Sequence, residues 1–419
     1  MTETDARTET GGEPRETLRS FPLKVPEGLG PIPELAELRR REPVVRVRVP
    51  SGGTAWLVTR HADVRKVLAD PRFSRRRASR GPAGPGGGAP RRTALPDSIL
   101  AADPPEHSRL RKLVAPSLTA RRTEAMRADI ARLADSLLTD VAEQGPGADL
   151  VPHFTRPLPL TVICDLLGTP RVDAERLDAW DNILRSVTAR NAEVSAVVAE
   201  MSDYLARLLA VKRAHPGNDM LSVLIAARDD EDRLSEGELI SFCIVLLAGG
   251  YGTTADRLAG LVHLLLQNPP GTAGRAGAEP ERYALLRRDP GLVPGAVEEL
   301  LRYAQASVGS NMRVATEPVR LGDVTVAEGE TVIALMSSAN HDETVYEEPE
   351  LLDLTRAAPA HLAFGHGAHF CVGAQLARIQ LQEALTALTR RFPTLHAAAP
   401  PAWKGDRITR APRTLPVAW

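Results

Sequence analysis

Glycine, histidine and cysteine meet at a chemically suggestive spacing in Phe364-Gly365-His366-Gly367-Ala368-His369-Phe370-Cys371-Val372-Gly373, just ahead of a long amphipathic helical pattern. Glycines at 365, 367 and 373 let the backbone turn tightly and come close to a flat cofactor. The helix that follows aims its free N–H groups and positive dipole end at the sulfur, which favours thiolate over thiol. A lone thiolate presented this way suits an axial haem ligand. The same residues allow two other readings: a structural cysteine behind a glycine-rich turn, or a zinc site drawn from His361, His366, His369 and Cys371. Zinc fits less well, because no second Cys/His pair stands at finger-like spacing.

The string F-x-x-G-x-H-x-C-x-G resembles the haem-binding loop of the cytochrome P-450 family, whose thiolate ligates iron and favours O–O cleavage. The resemblance implies haem b (iron protoporphyrin IX), with Cys371 as metal ligand and Phe364 and Gly249 against the haem. It also implies a mainly α fold with small β-sheets, a triangular prism with the haem between a long distal helix and the cysteine loop.

A second run, Leu246-Leu247-Ala248-Gly249-Gly250-Tyr251-Gly252-Thr253-Thr254, puts glycines 249, 250 and 252 inside a helical pattern. Each costs about 1 kcal/mol relative to alanine there. Close approach of a cofactor and dioxygen, a local bulge in the helix, or tight packing against another helix would offset that cost. The run resembles the family's oxygen-binding helix, which makes Thr253 the alcohol that guides protons. The acid that usually precedes it is replaced by Gly252, which cannot relay a proton. Water, a substrate hydroxyl, or oxidative coupling without oxygen insertion would each answer that loss.

In Glu298-Glu299-Leu300-Leu301-Arg302, Glu299 and Arg302 share a helix face at i,i+3. They resemble the family's structural E-x-x-R pair, whose buried guanidinium takes a third partner from the loop before Cys371. The resemblance assigns the haem propionates to His107 with Arg111, to Arg313 and to His369. Positions implied to face substrate are Val245, Ala248, Gly249, Val308 and Gly309, all small, which suggests a roomy pocket. Arg109, Arg111, Lys112, Arg121 and Arg122 gather positive charge that would steer an acidic ferredoxin. No flavin or iron–sulfur domain is appended, so ferredoxin and ferredoxin reductase are expected as separate partners, with O2 and a small-molecule substrate.

The 419 residues, 43% hydrophobic and 25% charged, suit a globular chain with room for a cofactor, and the net charge of −1 speaks against a nucleic-acid partner. Three scattered cysteines fit a reducing, cytoplasmic setting, with Cys164 and Cys243 in apolar helical runs. Residues 1–20 are polar, without a signal-peptide pattern or anchor, and read as a disordered tail. No uninterrupted apolar run is long enough to span a membrane, the best being 239–248. Residues 21–419 are expected to form one haem domain, as a monomer.

Alternation predicts a β-hairpin over 44–49 and 54–59, and strand-like runs recur at 318–335. Helical periodicity covers 104–118, 121–144, 155–167, 171–189, 192–214, 218–228 and 236–268. The Gly/Pro/Arg-rich segment 79–97 lacks a regular pattern and, by the resemblance, forms a substrate lid; 270–278 looks like a surface insertion. The expected reaction is hydroxylation of a bulky secondary-metabolite intermediate. Oxidative coupling of an aromatic peptide or polyketide, or haem binding without turnover, are the alternatives.

Overall fold

The computed structural model describes residues 18–23, 27–49, 52–80, 95, 98–170, 174–186, 188–229, 234–267, 280–305, 311–357, 360–405 and 409–419. The N-terminal tail up to residue 17, most of the proposed lid, the insertion at 270–278, and Val308 with Gly309 lie outside the described residues.

Ten short strands are described: β1 (Arg19–Ser20), β2 (Val44–Arg48), β3 (Thr54–Val58), β4 (Phe73–Ser74), β5 (Met312–Ala315), β6 (Val319–Leu321), β7 (Val324–Val326), β8 (Thr331–Ala334), β9 (His396–Ala397) and β10 (Val417–Ala418). The expected hairpin forms between β2 and β3, antiparallel with Val44 opposite Val58. It belongs to a six-stranded sheet in the order β1-β2-β3-β8-β5-β4. Both faces of that hairpin are covered, Val44 and Val58 packing into one apolar cluster and Val47, Ala55 and Leu57 into another on the opposite side.

The helices are α1 (Pro33–Arg41), α2 (His61–Ala69), α3 (Arg75–Arg80), α4 (Glu106–Val114), α5 (Ala120–Ala125), α6 (Arg127–Gln144), α7 (Pro157–Leu167), α8 (Ala174–Arg185), α9 (Asn191–Ala214) and α10 (Met220–Asp229). They continue as α11 (Glu236–Gly250), α12 (Gly252–Leu266), α13 (Glu281–Arg288), α14 (Val293–Tyr303), α15 (Met336–Ala339) and α16 (Ala374–Arg391). The main core is helical. α16 packs along α6, α11 lies on α9 and α7, and α12 crosses α7, α14 and α16. Cys164 and Cys243 are both buried in it, and burial pushes the Cys243 thiol up to about 12.

Three boundaries differ from the periodicity. Residues 121–144 are interrupted at Met126. Ser79 and Arg80, read as lid, end a short helix instead. Its first turn is held by one local and one distant group: Ser74 Oγ accepts the Arg77 amide at 2.9 Å, and Asp103 accepts the Arg75 amide at 2.8 Å. The long pattern over 236–268 splits at Tyr251 (φ −89°, ψ −82°). Ser235 and Glu238 form a capping box that starts α11. Together α11 and α12 are long and apolar enough to cross a membrane, yet 56% of that apolar window is buried against the rest of the chain.

Candidate active site

The segment leading to Cys371 is shaped by two glycines. Gly365 (φ +81°) and Gly367 (φ +70°) occupy the left-handed region, while Gly373 (φ −87°) does not need to be glycine for its backbone. Gly365 N–H donates to Leu362 O and Cys371 N–H to Phe364 O, both at 2.9 Å, closing a compact turn ahead of α16. A Cβ on Gly367 would stand 2.6 Å from Leu68 O and 2.9 Å from Ala69 Cα, backbone that α2 cannot move aside. Gly367→Ala should therefore lower stability by about 2 kcal/mol. Urea unfolding and haem content of the purified variant check this; a wild-type midpoint would contradict it.

The Cys371 side chain is exposed. Surrounding protein nonetheless pushes its thiol upward by burial, against the Gly373 amide and the positive charges of Arg111 and Arg378. Phe364 is fixed beside it, with the Arg378 guanidinium 4.5 Å from the ring centroid and itself paired with Glu298 at 2.8 Å.

The four residues expected to hold propionates come together. The His107 and His369 rings lie 4.2 Å apart, and Arg111 Nη1 donates to Ala368 O at 3.1 Å, tying α4 to the Gly367–His369 turn. Arg313, from β5, is 2% exposed. Burial, then Arg75, lowers its guanidinium to about 9, with Asp103 opposing. His369 is pushed down to about 2 by burial, then by Arg75, His107, Arg313 and Arg111. Arg75, from α3, is thus a fifth member that sequence reasoning did not single out. The nearby acid, Asp103, is already engaged by Ser74 Oγ and the Arg75 amide. Among the described residues, His107 Nδ1 and Arg313 Nη2 are buried without a hydrogen-bond partner. A knot of mutually repelling cations and orphaned buried nitrogens calls for anions, and two propionates fit it.

The three glycines of the distal run have different surroundings. A Cβ on Gly249 would meet nothing within 4 Å, which suits a face turned to a cofactor. On Gly250 it would stand 2.7 Å from Ile163 Cδ1 of α7, and on Gly252 it would fall on the carboxylate of Asp181 in α8. Helix packing thus explains two of the three. The break at Tyr251 is pinned from elsewhere: its phenol donates to Asp178 of α8 and accepts from Arg156 Nε at 3.2 Å. Thr253 is exposed, and its hydroxyl donates to Gly249 O at 2.6 Å. Val245 and Ala248 are half-buried on the same helix.

Glu299 and Arg302 form a bidentate pair at 2.7 and 2.8 Å, at 2% and 1% exposure. Arg302 Nη1 also donates to Asn340 O (2.8 Å) and Pro349 O (2.9 Å), and Arg356 Nε reaches Glu299 Oε1 at 3.2 Å. Of the five residues in the basic patch, Arg109 instead pairs with Glu106 and Glu238. Lys112, Arg121 and Arg122 are exposed. Among the described residues no three His, Cys, Asp or Glu side chains gather closely enough to hold a metal ion, so the crowding of His361, His366, His369 and Cys371 in sequence does not become a zinc site.

The family model described as Cytochrome P450 (P-450 here) matches residues 180–402. The chain is 45% identical to the nocardicin C N-oxygenase of Nocardia uniformis subsp. tsuyamanensis, over 97% of this chain and 100% of that protein. It is 40% identical to the mycinamicin IV hydroxylase/epoxidase of Micromonospora griseorubida, over 98% and 100%. The crystal structure of the LnmA cytochrome P-450 hydroxylase, from the leinamycin biosynthetic pathway of Streptomyces atroolivaceus, superimposes with a TM-score of 0.85 at 43% identity, covering 96% of this chain and 100% of that one. With a cysteine loop, an anion-seeking cation knot and a broken glycine-rich helix on a fold shared over nearly the whole length, the chain belongs to the cytochrome P-450 family and is a haem-dependent monooxygenase.

Proposed function

We propose that this chain hydroxylates a bulky intermediate of secondary metabolism, with electrons from a separate ferredoxin and its reductase. The observation that carries the substrate class is the distal helix: Val245, Ala248 and Gly249 are small, and the space beside Gly249 is open. Relatives named for nocardicin, mycinamicin and leinamycin support the same class.

Haem, when bound, supplies the redox chemistry that activates dioxygen. Cys371 would hold its iron, and Arg75, His107, Arg111, Arg313 and His369 would hold its propionates. Phe364 would lie against its thiolate side. Thr253 and Gly249 would border the side where oxygen and substrate meet, and the Thr253 hydroxyl would place a proton there. Residues 21–419 then act as one haem domain. For electron entry, α5 packs on α16, the helix that follows Cys371, so exposed Arg121 and Arg122 mark a cationic surface on the thiolate side. Such charge speeds and orients an acidic donor more than it tightens the complex.

An optical titration of the ferric protein with macrolactones in one series and aromatic cyclic peptides in another tests the reading. A spin-state shift with a macrolactone is expected, followed by a product one oxygen heavier on incubation with NADPH, ferredoxin and reductase. A coupled product two hydrogens lighter would overturn hydroxylation.

A further inference from the structure

Gly252 lacks a side chain, and the place where one would begin is occupied by the Asp181 carboxylate, brought there by α8. Asp181 is 4% exposed, so a carboxylate has been taken out of water to sit against the helix break. Arg185 Nε, one turn further along α8, lies 3.5 Å from its Oδ1. Arg185 also pairs with Asp256, one turn beyond Gly252, and Asp256 accepts from Lys404 Nζ and from Thr409 Oγ1 at 2.8 Å. Acids and cations alternate in this buried row, with Asp181 at the end that sits against Gly252. Asp181 also lines, with Ala248 and Tyr251, a cavity of about 10 Å³, close to the room one water needs.

We propose that Asp181 is the proton-handling carboxylate of the distal side, supplied from α8 in place of an acid at position 252. It is a positioning residue that acts through Thr253. The Thr253 hydroxyl donates to Gly249 O, and its lone pairs can still accept. As the Thr253 proton moves on, Asp181 passes on a replacement taken from solvent through water in the cavity it lines, while Arg185 holds the carboxylate in place and relays no proton. Each hydroxylation takes up O2, two electrons from the donor and two protons, and releases one water; Asp181 ends each cycle unchanged. Gly252 is then a notch that admits Asp181, and adding a carboxylate there would force two anions into one place.

The inference rests on the family's oxygen chemistry and not on the substrate class. Three haem-loaded variants test it: Asp181→Asn, Gly252→Asp, and the double variant Asp181→Ala/Gly252→Asp. Thermal melting reads packing without any substrate. NADPH-driven oxygen consumption with a surrogate ferredoxin and reductase, in H2O and D2O, reads proton handling. Asp181→Asn should melt near wild type, keep the ferrous–carbonyl spectrum, lose turnover about 100-fold and show a larger solvent isotope effect. Gly252→Asp should melt lower, and the double variant should recover both melting temperature and turnover. Wild-type turnover and isotope effect in Asp181→Asn would overturn the proposal, as would a double variant that recovers stability but not turnover. Loss of the carbonyl spectrum in the unmutated protein would instead count against the haem reading.

Discussion

Cys371→Ser is expected to abolish monooxygenase turnover and the red-shifted ferrous–carbonyl band while leaving the chain folded. The two side chains are close in size, and the Cys371 side chain is exposed, so no core contact is lost. The local turn depends on backbone groups that serine retains, above all the Cys371 N–H to Phe364 O bond. Unfolding free energy should therefore change by no more than about 0.5 kcal/mol, as for substitutions away from the core. What changes is the ligand. Thiolate formation is assisted by the Gly373 amide, Arg111 and Arg378, which oppose the effect of burial. A serine hydroxyl in the same place stays protonated and is a poor electron donor to iron. Haem should remain partly bound, because the cation knot of Arg75, Arg111 and Arg313 is untouched. Absorption spectra of the carbonyl complex, circular dichroism and urea unfolding separate these effects. A wild-type carbonyl spectrum from the serine variant would remove Cys371 from the iron.

The contrast between Cys371 and Asp181 shows where sequence information ends. The cysteine loop is legible because its chemistry is local: glycines at 365 and 367, the thiol and the helix start are neighbours in the chain. The Glu299–Arg302 pair is legible for the same reason, since i,i+3 spacing alone puts both on one face. The β2–β3 hairpin follows from alternation on either side of the sequence Pro-Ser-Gly-Gly. Arg75 sits in a run of three arginines that looks like any solvated charge cluster; it joins the cation knot by way of α3, whose first turn the distant Asp103 helps to capture. Arg109 shares the sequence neighbourhood of Arg111, yet turns to Glu238 at the start of α11. The break at Tyr251 is set by Asp178 and Arg156, neither near it in sequence, and Asp181 reaches Gly252 by the packing of α8 over α11 and α12. Periodicity reports which face of a helix is buried. It carries no information about which distant side chain meets that face.

Glu299→Ala should cost about 3–5 kcal/mol of stability, because breaking a buried ion pair strands its partner's charge. That is a large share of the roughly 5–15 kcal/mol that holds a domain folded. Arg302 would keep its bonds to Asn340 O and Pro349 O but lose its bidentate anion, and Arg356 would lose the same carboxylate. Two buried or half-buried guanidiniums would then face each other with nothing negative between them. Replacing the pair by leucines should not rescue the protein, although apolar replacement succeeds for some buried pairs. Here the Asn340 and Pro349 carbonyls would be left without their donor. Damage should also spread to the cysteine loop. Asn340 O accepts from Arg302, Asn340 Oδ1 accepts the Leu362 amide at 2.7 Å, and Leu362 O accepts the Gly365 amide at 2.9 Å, so the pair anchors the chain that ends at Cys371. Haem content should therefore fall together with the urea midpoint in Glu299→Ala, and in Arg302→Lys, where an ammonium cannot serve two carboxylate oxygens and the carbonyls at once. If Glu299→Ala lost stability but kept full haem occupancy, the pair would be supporting the core alone, and the link through Asn340 and Leu362 to the cysteine loop would be refuted.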